Sequence, residues 1–286
     1  MTETQQFKAS RFREMHRGAQ ALLLPNVWDV ASARVVEQAG FPAIATTSAG
    51  IAFSVGYPDG QKISREQMLA RVGRIVRAVE APVTADVEAG YGSRPEDAAR
   101  TAAEVIQAGA VGINLEDGTL DPGRPLVDRL LQVEKIRAVR EAAQKKGVEL
   151  VLNARTDVYL REFAPPESRY GEAMLRARAY RDAGADCIFV PGLRDPDTIS
   201  RLVRELECPV NILAGPGVPS VPELEKLGVA RVSLGSGAMR ATLGLLRQIA
   251  EELKHSGTYR ALENAPSHAE VSQLFPFRSF RMHGPG

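Results

Sequence analysis

The chain has 286 residues with 36 basic and 35 acidic side chains; the near-balance, and the lack of any basic run with interleaved aromatics, argue against a nucleic-acid surface. No apolar run approaches the ~20 residues of a membrane span, and the first residues lack the basic-then-apolar pattern of a signal peptide. Two cysteines, Cys187 and Cys208, show neither metal nor CxxC spacing, which fits a reducing cytoplasm better than a disulfide framework.

Residues 6–18 read as a surface helix. An apolar run over 22–27 ends in Trp28-Asp29 and leads into a helix over 30–39 that stops at Gly40. The unit then repeats. A strand over 43–46 is followed by a long loop over 47–63 and a helix over 64–80. A strand over 83–86 is followed by a helix over 95–108, and a strand over 111–116 by a helix over 128–146. Strands over 150–153, 186–190, 210–213 and 231–234 follow. Their helices cover 169–183, 196–206, 221–227 and 237–255. The strands are near-continuous apolar runs, as expected where both faces are buried. Glycine recurs just past the helix ends. Eight alternating units predict a parallel sheet closed into a (β/α)8 TIM barrel over residues 1–255, with a doubly wound open sheet as the alternative. The tail over 256–286, with Pro266, Pro276 and Pro285, reads as an irregular arm.

A barrel of this kind carries its active site at the C-terminal ends of its strands. The third strand ends in Asp86-Val87-Glu88 before a Gly-Tyr-Gly turn; spaced by two, both carboxylates share a face. Asp59, on the loop after the second strand, and Glu116, at the end of the fourth, join them. Asp59, Asp86, Glu88 and Glu116 form a set of hard oxygen donors suited to Mg²⁺ or Mn²⁺, most of them acting through water. Arg155, at the end of the fifth strand, presents a permanently charged planar fork for a substrate carboxylate or a developing oxyanion. A salt bridge to Asp157 is the structural alternative for Arg155, and pairing with that arginine the alternative for Glu116. The four histidines, His16, His255, His268 and His283, lie in terminal helices or the tail, which argues against a histidine relay or a three-histidine metal site. No lysine falls at a predicted strand end, which argues against Schiff-base chemistry. Cys187 and Cys208 read as core residues. Gly215, Gly217, Gly235, Ser236 and Gly237 either cradle a phosphate or simply form tight turns.

Taken together, Pro25-Asn26-Val27-Trp28-Asp29, Thr47-Ser48-Ala49-Gly50, Gly56-Tyr57-Pro58-Asp59, Ala85-Asp86-Val87-Glu88-Ala89-Gly90-Tyr91-Gly92, Gly112-Ile113-Asn114-Leu115-Glu116-Asp117 and Asn153-Ala154-Arg155-Thr156-Asp157 resemble the isocitrate lyase / phosphoenolpyruvate mutase superfamily. The resemblance runs from about residue 20 to 255. It implies a barrel whose last helix is swapped with a neighbouring subunit in a homodimer or homotetramer. It also implies Mg²⁺-dependent making or breaking of C–C or P–C bonds in small 2-oxo or 2-hydroxy acids. Residue by residue, Asp86 resembles the acid nearest the metal, and Asp59, Glu88 and Glu116 its water-mediated partners. Ser48, Ala49 and Gly50 resemble the turn that holds the substrate carboxylate, and Trp28 the aromatic wall beside it. Arg155 resembles the arginine that binds substrate and stabilises its enolate.

The departures are as informative. Isocitrate and methylisocitrate lyases carry a Lys-Lys/Arg-Cys-Gly-His loop after the fourth-strand acid, whereas this chain reads Asp117-Gly118-Thr119-Leu120-Asp121-Pro122-Gly123-Arg124, and so is more similar to the branch with α-keto acid lyases, decarboxylases and hydrolases. The expected function is therefore a Mg²⁺-dependent C–C lyase or decarboxylase acting on a small 2-oxo acid through an enolate. Tyr57, Asp117 or a water on the cation is the candidate proton donor. P–C bond chemistry and a non-catalytic keto-acid-binding barrel are the alternatives.

Overall fold

A computed structural model describes residues 4–119 and 121–275. Leu120, Pro276, His283 and Pro285, each given a place in the reading above, lie outside these residues. The described residues separate into two compact units that divide between Arg240 and Ala241, within the last long helix rather than at its end.

Among the described residues the first unit holds nine strands: β1 (Leu22–Leu24), β2 (Asn26–Val27), β3 (Ile44–Thr46), β4 (Val83–Asp86), β5 (Gly112–Glu116), β6 (Val151–Arg155), β7 (Cys187–Phe189), β8 (Val210–Leu213) and β9 (Arg231–Ser233). All pair in parallel, in the order β1-β9-β8-β7-β6-β5-β4-β3-β2. β1 and β2 are the two halves of the single apolar run over 22–27. Pro25 has no N–H for the ladder and divides them, so one half pairs with β9 and the other with β3. The sheet thereby returns on itself as a (β/α)8 barrel. Asn26 bridges the closing seam: its Nδ2 donates to Thr46 O, and its Oδ1 accepts from the N–H groups of Leu234 and Gly235, each at 2.8 Å. Those two amides are therefore committed to the seam rather than free for a phosphate.

The helices are α1 (Gln5–Glu14), α2 (Val30–Gln38), α3 (Ser48–Ser54), α4 (Arg65–Ala78), α5 (Pro95–Gln107), α6 (Arg129–Lys145), α7 (Pro166–Asp182), α8 (Pro196–Leu206), α9 (Val221–Lys226) and α10 (Gly237–Ser256). Local chemistry sets their ends. Asp29 with Ser32, and Ser64 with Gln67, form capping boxes at α2 and α4. Gly109 and Gly184 follow α5 and α7 at φ of +93° and +108°, the left-handed conformation that stops a helix. Several boundaries differ from the sequence reading by one to three residues, such as α7, which starts at Pro166 and not at 169, and two differ in kind. The segment over 47–63 is not all loop, because Thr47 caps α3 by accepting from Gly50 N. The first helix ends at Glu14 and tightens into a 3₁₀ turn over Met15–Arg17.

α1 plugs the N-terminal end of the barrel. Phe12 packs with Leu22, Leu24, Ala43, Ala45 and Val151. It lies so close to β5 that a Cβ on Gly112 would stand 2.9 Å from its ring. Above the plug sits a polar layer in which Asn153 Nδ2 and Arg231 Nη2 both donate to Asn114 Oδ1, at 2.8 and 3.2 Å. With one end filled, the chemistry is left to the other, where parallel register places Asp86 beside Asn114 and Glu116 beside Arg155.

In the second unit the remainder of α10 is followed by a 3₁₀ turn over Arg260–Leu262 and by α11 (His268–Gln273). The stretch read as irregular thus contains helix, because Ser267 and Glu270 form a capping box around α11. The Glu252 carboxylate ties the intervening turn by accepting from Thr258 Oγ1 and the N–H groups of Arg260 and Ala261. Among the described residues no helix is long and apolar enough to cross a membrane.

Candidate active site

A cavity of about 270 Å³ opens at the C-terminal ends of the strands, lined by Ser48, Asp59, Glu88, Glu116, Arg155 and Arg161, together with Gly60, Gln61, Gly118, Thr119 and Leu160. Four of the strand-end acids and arginines singled out in the sequence meet here: Asp59, Glu88, Glu116 and Arg155. Asp86 lies directly behind Ser48. The Asp86 Oδ2 accepts from both the N–H and the hydroxyl of Ser48, at 3.0 and 2.7 Å, while its Oδ1 is buried without a hydrogen-bond partner among the described residues. Trp28, Ala49 and Gly50 do not line the cavity. Gly50 and Trp28 lie close together: a Cβ on Gly50 would stand 3.1 Å from Trp28 Cβ. Of the three turn amides, Ser48 N is committed to Asp86 and Gly50 N to Thr47 Oγ1.

The loop carrying Glu88 is bent into a sparsely populated conformation. Glu88 has φ +51° and Tyr91 φ +57°, in the left-handed region that side chains avoid. Neighbours hold it there. Lys135 of α6 donates to the carbonyls of Ala89 and Gly92 at 2.5 and 3.1 Å, and Gln61 accepts from Tyr91 N while its own N–H reaches Glu88 Oε2. Burial, followed by the nearby Asp86 and Asp59, pushes the Glu88 carboxyl up to about 7. Burial and then Asp86 raise Asp59 as well. Glu116 is raised well above the carboxylate range by burial, against the pull of Arg155.

Arg155 makes both contacts that the sequence offered as alternatives. Its Nε and Nη2 grip Asp157 at 2.6 and 3.0 Å, and its Nη1 pairs with Glu116 at 2.6 Å. Burial works against its charge, but these two carboxylates outweigh it and hold its pKa above the ordinary value. The arginine is therefore a fixed cation in the cavity wall.

Asp117 is not in the cavity. It is fully buried and accepts from Asp157 N, Arg176 Nη1 and Tyr180 Oη at 2.8, 3.1 and 2.7 Å. Its role is to brace the β5 and β6 ends, and as a proton donor it is out of reach. Tyr57 is exposed and lies outside the lining. Both cysteines behave as core residues: burial pushes Cys187 up to about 12 and Cys208 up to about 11. Gln61 and Arg161 were not singled out by sequence reasoning. The available signal for Arg161 was its position one turn past Arg155-Thr156-Asp157.

The donors suit a magnesium-type ion. They are hard oxygens at one strand edge, and among the described residues Asp86 Oδ1 is buried with no hydrogen-bond partner, as a cation-facing oxygen would be. Among the described residues no three acidic, histidine or cysteine side chains converge to chelate an ion directly. That is compatible with an ion that keeps several waters and takes one or two carboxylates.

Comparison with known proteins places the chain in a family. The family model for phosphoenolpyruvate phosphomutase matches residues 12–254. Oxaloacetate decarboxylase of Pseudomonas entomophila is 30% identical over 249 residues, covering 82% of each chain. The structure of 2,3-dimethylmalate lyase, a PEP mutase/isocitrate lyase superfamily member, superposes with a TM-score of 0.81 at 29% identity, over 93% of this chain and 94% of the other. That of phosphonopyruvate hydrolase in complex with oxalate and Mg²⁺ gives 0.81 at 25% identity, over 93% and 94%.

Proposed function

The chain belongs to the phosphoenolpyruvate phosphomutase family, and from that premise we propose that it is a Mg²⁺-dependent C–C lyase or decarboxylase acting on a small 2-oxo acid through an enolate. The observation that carries the reading is the pairing of Asp86, whose Oδ1 is buried and unpartnered, with a cavity that sets Glu88, Glu116 and Asp59 against the fixed cation Arg155. Asp86 would hold the ion, with Glu88, Glu116 and Asp59 acting through water; Mn²⁺ could substitute. When bound, Mg²⁺ supplies Lewis-acid stabilisation of negative charge on the substrate's keto oxygen.

The protein's own part is electrostatic. Arg155 is locked by Asp157 and Glu116, so it needs no reorganisation when charge develops on the substrate. Ser48 holds Asp86 in one rotamer. The braces at Lys135 and Gln61 keep Glu88 at the rim. Breaking a bond at C3 leaves electrons on the C2–C3 unit, and loss of CO₂ or an aldol-type departure places them alike. P–C cleavage is the second reading, favoured by the family description itself; ³¹P NMR on phosphonopyruvate separates the two.

The exposed Leu243, Leu246 and Leu253 on α10 support a homodimer or homotetramer, and the free Cys187 and Cys208 support a cytoplasmic location. The deciding experiment is a thermal melt with oxalate, a planar enolate mimic, with and without Mg²⁺. Stabilisation by oxalate only when Mg²⁺ is present supports the reading. No response to either removes it.

A further inference from the structure

The turn after β4 is held by a buried charge that has no counter-ion. Lys135 lies on the inner side of α6 and is 1% exposed. Its Nζ donates to Ala89 O and Gly92 O, at 2.5 and 3.1 Å. Among the described residues it forms no ion pair, although an unpaired ammonium is costly to bury. Burial draws its pKa down to about 8, with Asp97 and then Glu116 opposing, so at pH 7 the group is still charged.

The backbone of the turn supplies the acceptors. Glu88, Gly90 and Tyr91 have φ of +51°, +88° and +57°, left-handed positions that reverse the chain within a few residues. Two of the turn's carbonyls are taken by neighbouring elements: Glu88 O accepts from Glu116 N at 3.0 Å, and Gly90 O from Thr101 Oγ1 at 2.8 Å. Those of Ala89 and Gly92 meet only the ammonium among the described residues. Carbonyl oxygens converging on one positive charge are also how proteins hold a bare monovalent cation. A side cavity of about 380 Å³, lined by Ala89, Gly92, Leu126, Leu131 and Lys135, opens beside the group, so water and small ions can reach it.

We propose that the carbonyls of Ala89 and Gly92 form a monovalent-cation cradle, filled in this chain by its own Lys135 ammonium, and that this charge fixes the position of Glu88. Lys135 is then a positioning residue that acts by charge and not by packing. Without a cation in the cradle the strained turn relaxes and carries the Glu88 carboxylate away from its place in the cavity wall. The consequence for Glu88 rests on the function proposed above; the cradle itself does not.

The test empties the cradle and refills it from solution. Lys135→Ala leaves room for an ion, and its ligand-free melts are compared in ammonium chloride and in tetramethylammonium chloride at equal ionic strength. Ammonium is expected to raise the melting temperature of the variant, while the wild type melts alike in both salts. In isothermal titration with Mg²⁺, oxalate is expected to bind the variant about tenfold more weakly in tetramethylammonium and to recover in ammonium. Lys135→Met keeps the packing but blocks the cradle, so it should fold, lose the same oxalate affinity and ignore ammonium. Equal melts of Lys135→Ala in the two salts overturn the cradle. Wild-type oxalate affinity in Lys135→Met overturns the positioning role. A wild-type protein that does not bind oxalate with Mg²⁺ marks failure of the enolate reading instead, and the ligand-free melts still decide the cradle.

Discussion

Ser48 donates both its backbone N–H and its hydroxyl to a single oxygen of Asp86, at 3.0 and 2.7 Å. One carboxylate oxygen thereby accepts two hydrogen bonds, and the other, Oδ1, is buried with no hydrogen-bond partner among the described residues. Burying an unpaired carboxylate oxygen is costly unless something else occupies it. The groups that orient a metal ligand typically matter about 10–100-fold to metal affinity or activity. Ser48→Ala keeps the amide and loses the hydroxyl. Oxalate affinity measured with Mg²⁺ should drop about tenfold, while the ligand-free melt stays close to wild type. An unchanged affinity would show that the hydroxyl does not orient Asp86.

Gly118 sits where any side chain would strike the support of Arg155. A Cβ there would stand 2.6 Å from Asp157 Oδ2, the oxygen that accepts from Arg155 Nη2. Asp157 is fully buried and has no room to retreat. Gly118→Ala should therefore tilt the Arg155 fork. We expect a stability loss of about 1–3 kcal/mol from overpacking. Turnover of the identified substrate should fall about 10²-fold, since small misplacements of a positioned charge are expensive in rate. Normal turnover in the alanine variant would mean that Arg155 does not depend on this geometry.

The barrel was legible because its determinants are local: apolar runs for buried parallel strands, caps such as Asp29 and Ser64, and glycines such as Gly109 just past the helices. Pro25 marked the interrupted strand, but which half pairs with which neighbour depends on closure, a property of the whole sheet. Strand ends located Asp86 and Glu116, but Glu88 lies past the end of β4 with φ +51°, so alternation along a strand does not place it, and Asp59 comes from a loop. The roles of Asp117 and Lys135 could not be read this way. Adjacent residues Glu116 and Asp117 point to opposite sides of one strand end, the first into the cavity and the second to Arg176 and Tyr180 on α7. The second partner set comes from a helix some sixty positions on and leaves no periodic trace. α3 was hidden because Ser48-Ala49-Gly50 reads as loop composition, and only Thr47's capping contact turns it into helix.

The Asp117 network should prove to be structural. Tyr180→Phe removes one of three donors to a fully buried carboxylate, leaving Arg176 and Asp157 N. Losing such a donor costs about 1–3 kcal/mol. Denaturant melts should report that loss, and oxalate affinity with Mg²⁺ should not change. A large drop in affinity without loss of stability would move Asp117 into the chemistry.

His16 gives the fold a defined acid sensitivity. The imidazole is buried in the barrel plug, where Nδ1 lies 2.8 Å from Phe12 O and Nε2 lies 3.5 Å from Arg231 Nη1. Burial first, and then Arg231, pull its pKa down from 6.5 to about 4, with Arg13 acting the same way and Asp186 opposing. The folded protein thus keeps His16 neutral where the unfolded chain has already taken up the proton. Between pH 6.5 and about 4 the unfolded state binds more protons, so stability is full above that window and falls as pH drops through it. A shift of this size corresponds to about 3 kcal/mol at most. His16→Gln removes the titration and keeps a polar side chain in the plug. Urea melts at pH 7 and pH 4.5 should show a smaller pH-dependent loss in the variant than in the wild type. Parallel losses would mean that carboxylates elsewhere, and not His16, govern the acid side of the stability curve.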